Sequence, residues 1–483
     1  MREFGRFTIP VRHELVGAEG PDTQPDYAVR KSTLTMSSPA RPRAATFRAR
    51  RIRVGIIVLV LAVGLGIIGA ALANQWRNPG APGASEAVTT PGSTITTQAE
   101  ASATPSPTPT PSPSPTPTPE PVSFTILAAG DVLPHTTVIK NAQSGSGWDF
   151  TQLWSPVDPW VSAADLALCH MEVPIAPAGR EPVGYPVFGA PSEIVANLAS
   201  AGWDGCSTAS NHAVDMGWSG LTATLDAMDA AGLGHVGTAR TEAEAAAPQL
   251  YTLERGGQTI TVAHLAATYS TNGIPIPSDA PWSVQMIDTD QLIDQATQAR
   301  AAGADLVLAS VHCCEEYVDT PTAKQVEIAN ELAASGQVDL MIGNHSHVPQ
   351  AMDMIPGGPG GAGMWVAYSM GNMISNQDEN CCRPQTSTGT FMWATVTKVG
   401  DEPPRVTGLE WTAVPGDRLG AQRIYAMPDL LDQRIEAPLL TLSMSELQAR
   451  QQRVVDVIGS VAPERREPPT PSGPAPTVVP RST

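Results

Sequence analysis

FTILAAGD (124–131) is a short apolar run that stops at a Gly-Asp pair. Such a run reads as a buried strand that delivers a carboxylate at its C-terminal end. Working outward from it, similar runs recur at 166–171, 205–208, 259–266, 305–311, 338–342 and 364–369. Amphipathic helical patterns separate several of them, at 192–201, 219–231, 288–302 and 322–335. The segment 249–266 turns on Arg255-Gly256-Gly257-Gln258 and reads as a hairpin. Strands alternating with helices, plus some antiparallel pieces, predict an α/β layered domain.

The rest of the 483-residue chain is organised around that domain. Residues 1–53 carry no apolar periodicity and are expected to form a disordered cytoplasmic tail. VGIIVLVLAVGLGIIGAALA (54–73) is uncharged, and about 20 such residues suffice for a transmembrane helix. Arg41, Arg43, Arg48, Arg50, Arg51 and Arg53 stand directly before it, so the N-terminus is expected in the cytoplasm and the main domain outside. A cleaved signal peptide ending at Ala71-Leu72-Ala73 is the competing reading; the length of the apolar core favours a single-pass anchor in the cell membrane. Residues 74–121 end in TPSPTPTPSPSPTPTPEP and predict an extended polyproline-like spacer. The folded domain is expected over 122–417. An extension over 418–483 follows, with a Ser-capped helix at 445–458 and a disordered Pro-rich tail from Pro463. The formal charge of −18 argues against nucleic acid as a partner, since a phosphate backbone needs Lys and Arg to displace its counterions. The six cysteines show no CxxC spacing, which argues against a thiolate zinc site.

Polar residues cluster where the strands end. Asp131 follows the first strand, Glu172 the second, Ser210-Asn211-His212 the third; His312 ends LVLASVH, and Gly343-Asn344-His345-Ser346-His347 follows DLMI. The carboxyl ends of parallel strands converge on one crevice. Imidazole and carboxylate are ligands of Zn, Mn and Fe(II). Each element alone has an ordinary explanation: a turn for Gly-Asp, a helix cap for Asn-His, a surface pair for H-x-H. Their ordered recurrence at strand ends is what points to a metal site.

GDV, HMEVP, ASNHAVDMGWSGLTATLDAMDAAGLGHVGT, VHCCEEY, DLMIGNHSHVPQAMD and AYSMGNMISNQ, in that order, resemble the successive motifs of the CapA-type poly-γ-glutamate capsule biosynthesis family. That family is similar in fold to calcineurin-like metallophosphoesterases, so the resemblance implies a two-sheet sandwich flanked by helices. It further implies a divalent cofactor, one ion or two, of Mn, Zn or Fe. Asp131 would bind the first metal, Glu172 would bridge, and Asn211, His312 and His345 would hold the second, with His347 returning to the first. His212 would face the substrate as a catalytic acid, and Glu316 and Tyr317 would lie toward the substrate. Asn372 would belong to a structural turn. The implied role is synthesis, export or processing of an anionic polymer, poly-γ-glutamate, beside capsule-synthase membrane proteins. The alternatives are a cell-wall metallophosphoesterase acting on phosphate esters and a non-catalytic scaffold.

Three departures from the family pattern stand out. His170-Met171-Glu172 replaces Asn-Leu-Glu, and His170 is expected to pack rather than to ligate. Ser210 replaces the first Asn of Asn-Asn-His, and His312-Cys313-Cys314 replaces His-Trp-Gly. There is also no D-x-H opening, and His135 lies too far along to supply it, which implies a weak first site. Cysteines outside the cytoplasm tend to be oxidised. Cys313-Cys314 is therefore expected to bridge Cys381-Cys382 over the crevice, with free thiols as the alternative, while Cys169 and Cys206 are expected to pack as small hydrophobes.

Overall fold

The computed structural model describes residues 120–481. The expected cytoplasmic tail, the membrane helix and nearly all of the spacer lie outside those residues. Among the described residues no helix is long and apolar enough to cross a membrane.

In chain order the strands are β1 (Val122–Val132), β2 (Leu166–Met171), β3 (Gly205–Ser207), β4 (Gly234–Val236), β5 (Gln249–Arg255), β6 (Gln258–Thr268), β7 (Leu306–His312) and β8 (Leu340–Asn344). After them come β9 (Met352–Ile355), β10 (Met364–Ala367), β11 (Asn372–Ile374), β12 (Thr388–Lys398), β13 (Arg405–Asp417), β14 (Arg423–Ile424) and β15 (Thr477–Val479). They build two mixed sheets. The first runs β14-β13-β12-β1-β2-β3-β4, with β11 also beside β1; the second runs β9-β10-β8-β7-β6-β5-β15. In each, the site-bearing strands are parallel: β1 to β4 in the first, β6, β7, β8 and β10 in the second.

Side chains alternate across each strand, so each sheet can build two cores. Ile126 and Leu168 face inward with Tyr251, Leu308, Ile342 and Met392, a cluster drawn from both sheets. Their neighbours Leu127 and Cys169 face outward, against Ile194 and Leu198 of α1 (Glu193–Ser200) and Met228 of α2 (Gly217–Ala231). On the far side, Val307 and Met341 pack against Leu292 of α3 (Thr289–Ala301) and Ile328 and Leu332 of α4 (Ala323–Ser335). This is a two-sheet sandwich with helices on both outer faces. Local chemistry agrees with it. Thr322 and Gln325 form a capping box at the start of α4. The β5–β6 hairpin turns on Gly256 and Gly257 at φ +57 and +76, values that favour glycine.

The C-terminal region departs from expectation. The helix over 445–458 is Met444–Ile458 (α5), and its cap is Ser443, whose Oγ accepts from Glu446 N at 3.2 Å. Leu447, Val454 and Ile458 join the inter-sheet core, so the extension is part of that core. The Pro-rich tail is ordered as well. Thr477–Val479 adds an antiparallel edge strand to β5, and Ser472 donates from N and Oγ to Asp165 at 2.6 and 2.8 Å. Arg481 is buried, donating to the carbonyls of His235 and Thr238 at 3.0 and 3.2 Å. Proline is tolerated on an edge strand, and an already extended chain loses little entropy on docking.

The cysteines also depart. Cys169 and Cys206 are register partners on β2 and β3 and form a disulfide, rather than packing as free thiols. Cys313 pairs with Cys314 and Cys381 with Cys382, so the expected bridge between the two pairs does not form.

Candidate metal centre

Gly130 brings β1 close to the turn before β11. A Cβ there would sit 1.8 Å from the Gly371 carbonyl, which instead accepts from Asp131 N at 2.9 Å. Asp131 is thereby held between its register partners His170 on β2 and Asn372 on β11. Glu172 follows β2. Beyond β3, Ser210 Oγ donates to the Glu172 carbonyl and accepts from His212 N at 3.0 Å, tying the third strand's loop to the second. The other sheet supplies His312 at the end of β7, in register with Asn344 of β8. His345 and His347 then turn inward with φ of +94 and +58. Left-handed backbone at a non-glycine residue costs of order 1–3 kcal/mol and persists where the surroundings over-determine it.

The six sequence-predicted ligands converge, and all are at most 2% exposed. His347 Nδ1 lies 3.0 Å from Asp131 Oδ2, and its Nε2 lies 3.8 Å from Glu172 Oε1. His312 Nε2 is 4.0 Å from the same Glu172 oxygen, 2.8 Å from Asn211 Oδ1 and 3.1 Å from His345 Nδ1. Two donors bound to one ion at about 2.0–2.2 Å are at most about 4.4 Å apart. Each separation meets that limit by itself; His347 reaches Asp131 through Nδ1 and Glu172 through Nε2, and with one ligand atom from each residue Asp131, Glu172 and His347 lie within 4.8 Å of one another. Glu172 stands between the two groups of donors.

The polar accounting shows what the cluster lacks. Asp131 Oδ1, both Glu172 carboxylate oxygens, His170 Nε2, His312 Nδ1 and His345 Nε2 are buried with no hydrogen-bond partner. Each such atom costs roughly 1–3 kcal/mol, so a concentration of them calls for a compensating charge. Burial drives the Glu172 carboxyl well above its usual range, with Asp131 adding repulsion. Burial also lowers His312 and His345 well below theirs, and His170 to about 4. For His347, burial pulls downward but the Glu172 and Asp131 carboxylates prevail, raising it to about 9. Neutral His170, His312 and His345 beside partnerless carboxyl groups fit a divalent cation, which would take the place of the proton that these carboxylates hold on His347.

The remaining predicted residues line the approach. His212 is 8% exposed, and its Nδ1 lies 2.7 Å from Asp215 Oδ2, which also accepts from Phe188 N at 2.7 Å. Phe188 packs edge-on against the His212 ring, with centroids 4.8 Å apart. Glu316 is exposed, and its carboxylate comes within 4.8 Å of donor atoms of His345 and His347. The Tyr317 ring sits 5.9 Å from that of His347, and its hydroxyl accepts from Gln377 Nε2 at 3.3 Å. Asn372 does more than shape a turn. Its Oδ1 meets His347 Nδ1 at 3.1 Å, while its Nδ2 donates to the carbonyls of His347 and Thr386 and to Gln377 Oε1. A cavity of about 430 Å³ opens beside Tyr317, with His135, Tyr185, Gln377 and Arg418 also in its wall.

Asp215, Ser207 and His135 belong to this neighbourhood and were not singled out from the sequence as its members. Asp215 alone carried a signal, three residues after His212, a spacing that in a tight turn returns a carboxylate to the ring. His170, expected to pack, instead points Nε2 toward Asp131 Oδ1 at 3.9 Å.

The model of the bacterial capsule synthesis protein family PGA_cap matches residues 125–377, just over half of the chain. The chain belongs to this capsule synthesis family. It is 26% identical over 262 residues to the capsule biosynthesis protein CapA of Bacillus anthracis, covering 52% of this chain and 60% of that protein. It is 28% identical over 171 residues to the PGA biosynthesis protein CapA of Bacillus subtilis, covering 35% and 42%. The match thus spans less than two thirds of either of these capsule-family relatives. Among solved structures, a calcineurin-like phosphoesterase of Bacillus subtilis aligns at 14% identity over 70% of this chain and 98% of that one, with a TM-score of 0.35. At that score the architecture rests on the sheet topology above. Matched residues 125–377 include every predicted ligand, from Asp131 to His347.

Proposed function

We propose that this chain is a membrane-anchored, extracytoplasmic protein that processes an anionic capsule polymer of the poly-γ-glutamate class with a metal-dependent hydrolytic site. The observation that carries this reading is the gathering of buried, partnerless carboxylate and imidazole atoms from strand ends of both sheets. Asp131, Glu172 and His347 would hold one divalent ion; Asn211, His312 and His345, with Glu172 shared, would hold a second. Mn, Zn and Fe(II) all suit such donors. Bound there, the cation supplies Lewis acidity and a water that ionises near neutral pH.

The chain's own residues perform the rest. Asp215 holds Nδ1 of His212 and orients the ring, so that Nε2 is the nitrogen left to give a proton to a leaving group. Such proton donation is worth roughly 10²–10⁴-fold in rate. Asn372 holds His347 in place, and Tyr317 and Glu316 border the entrance beside the cavity. A carboxylate polymer is drawn to a cationic centre in an otherwise acidic protein, which favours engagement at the site over binding elsewhere. The apolar span at 54–73 and the Pro-rich spacer suit an enzyme held near a membrane assembly that makes the polymer.

The purified full chain, loaded with Mn or Zn, should shorten poly-γ-glutamate on size-exclusion chromatography, and His212→Ala should stop it while keeping the metal. Turnover of a chromogenic phosphodiester with the polymer left intact would transfer the chain to the phosphoesterase reading. Metal bound with no turnover of either would indicate a scaffold. A topology reporter on each side of 54–73 tests the anchor; a reporter after the spacer that is active in the cytoplasm would refute the extracytoplasmic placement.

A further inference from the structure

Around Asp131, two sets of three buried donors lie within 4.8 Å of one another: Asp131, Glu172 and His347, and Asp131, His170 and His312. The second set contains His170, the side chain that the sequence left to packing. This histidine sits on β2 directly across from Asp131, is 1% exposed, and directs Nε2 to within 3.9 Å of Asp131 Oδ1. That separation is too long for a hydrogen bond and within the span of two donors on one ion. Nε2 has no other hydrogen-bond partner.

The tautomer follows from the opposite nitrogen. Nδ1 lies 2.7 Å from the hydroxyl of Ser207, its register partner on β3. With the proton on Nδ1, that N–H donates to the hydroxyl and Nε2 presents a bare lone pair. With the proton on Nε2, an N–H would be buried with no acceptor in reach, at a cost of roughly 1–3 kcal/mol. The ring is further fixed by stacking on His312, with centroids 4.8 Å apart and planes at 30°. A histidine whose second nitrogen is anchored by a neighbouring polar group is how proteins orient metal-binding imidazoles.

We infer that His170 is a metal-binding residue, a protein donor to an ion bound at Asp131, and that Ser207 is the residue that positions it. The inference rests on the metal-centre reading above and adds to it a donor that the sequence reading left to packing.

The test uses the full chain equilibrated with zinc against a competing chelator, with bound metal counted by elemental analysis. His170→Gln should hold one ion fewer than the wild type, or hold that ion at least about tenfold more weakly. Ser207→Ala leaves the imidazole in place and should weaken the same ion by about tenfold. Since His170→Gln could disturb folding, the wild type gives an independent readout: zinc should move the His170 Nε2 resonance in histidine ¹H–¹⁵N spectra while Nδ1 stays protonated. Unchanged zinc content and affinity in both variants, or an unmoved Nε2 resonance in zinc-loaded wild type, would overturn the inference. A wild type that binds no divalent ion would overturn the metal-centre reading itself, and this inference with it.

Discussion

Glu172→Gln should change stability in opposite directions according to whether metal is present. Glu172 is 0% exposed and neither carboxylate oxygen has a hydrogen-bond partner. Glutamine keeps the shape and removes the charge. In the metal-free chain the amide stays as unpartnered as the carboxyl, so the gain is the relief of buried charge where Glu172 ionises, about 1–3 kcal/mol. At about 2 °C or less per kcal/mol for a unit of this size, that raises Tm by a few degrees. The pH dependence has a definite sign. Burial raises the folded-state pKa of Glu172, so its contribution to stability is fully present below the unfolded value and is lost as pH rises through the folded value. The margin of the variant over wild type in chelator should therefore widen from pH 6 to pH 8. With metal the order inverts, because wild type gains about 4 kcal/mol at a thousandfold excess over Kd and the variant, lacking the bridging charge, gains little. Thermal melts of both proteins, with EDTA and with Zn or Mn at two pH values, read all of this. A variant that melts lower than wild type in EDTA would refute the reasoning, since Glu172 would then be stabilised by the protein rather than waiting for a cation.

Three further outcomes are expected. Asn372→Ala frees the His347 ring and should weaken metal binding by about tenfold, read by chelator competition. Asp215→Asn should leave metal content unchanged and lower polymer turnover by about 10²-fold or more, with the loss in kcat rather than KM, because the carboxylate that orients the His212 ring is gone. Deleting residues 470–483 removes the Ser472 bonds to Asp165 and the β15 strand, and should cost at least about 2 kcal/mol in urea unfolding. The substrate-free metal content should survive that deletion, because the tail docks on β5 and on the Arg255–Asp165 pair rather than on the ligands.

Much of the fold was legible because its signals are local. Apolar runs of strand length, the Gly-Gly hairpin turn and the helical periodicity over 322–335 each depend on neighbours within a few residues. The gathering of Asp131, Glu172, Asn211, His312, His345 and His347 was legible for a related reason: parallel strands put their C-terminal ends on one edge, where recurring polar residues come together. What the chain alone could not show depends on register and on docking between distant segments. Whether His170 packs or ligates turns on its alignment with Asp131 on one side and Ser207 on the other. The Cys169–Cys206 bond needs the same β2–β3 register, and no spacing in the sequence encodes it. The tail read as disordered because it cannot fold by itself. The edge of β5 and the buried Arg255–Asp165 pair supply the partners that order it. Local propensity is written residue by residue, so the sequence by itself determined most of the parallel strands, the helices between them and which polar groups stand at strand ends, while the antiparallel strands β12 and β13 went unread. Only the tertiary structure decided how those groups pair within the shared buried space and that His170 joins them, because hydrogen-bond register and packing across the two sheets are properties of the assembled layers.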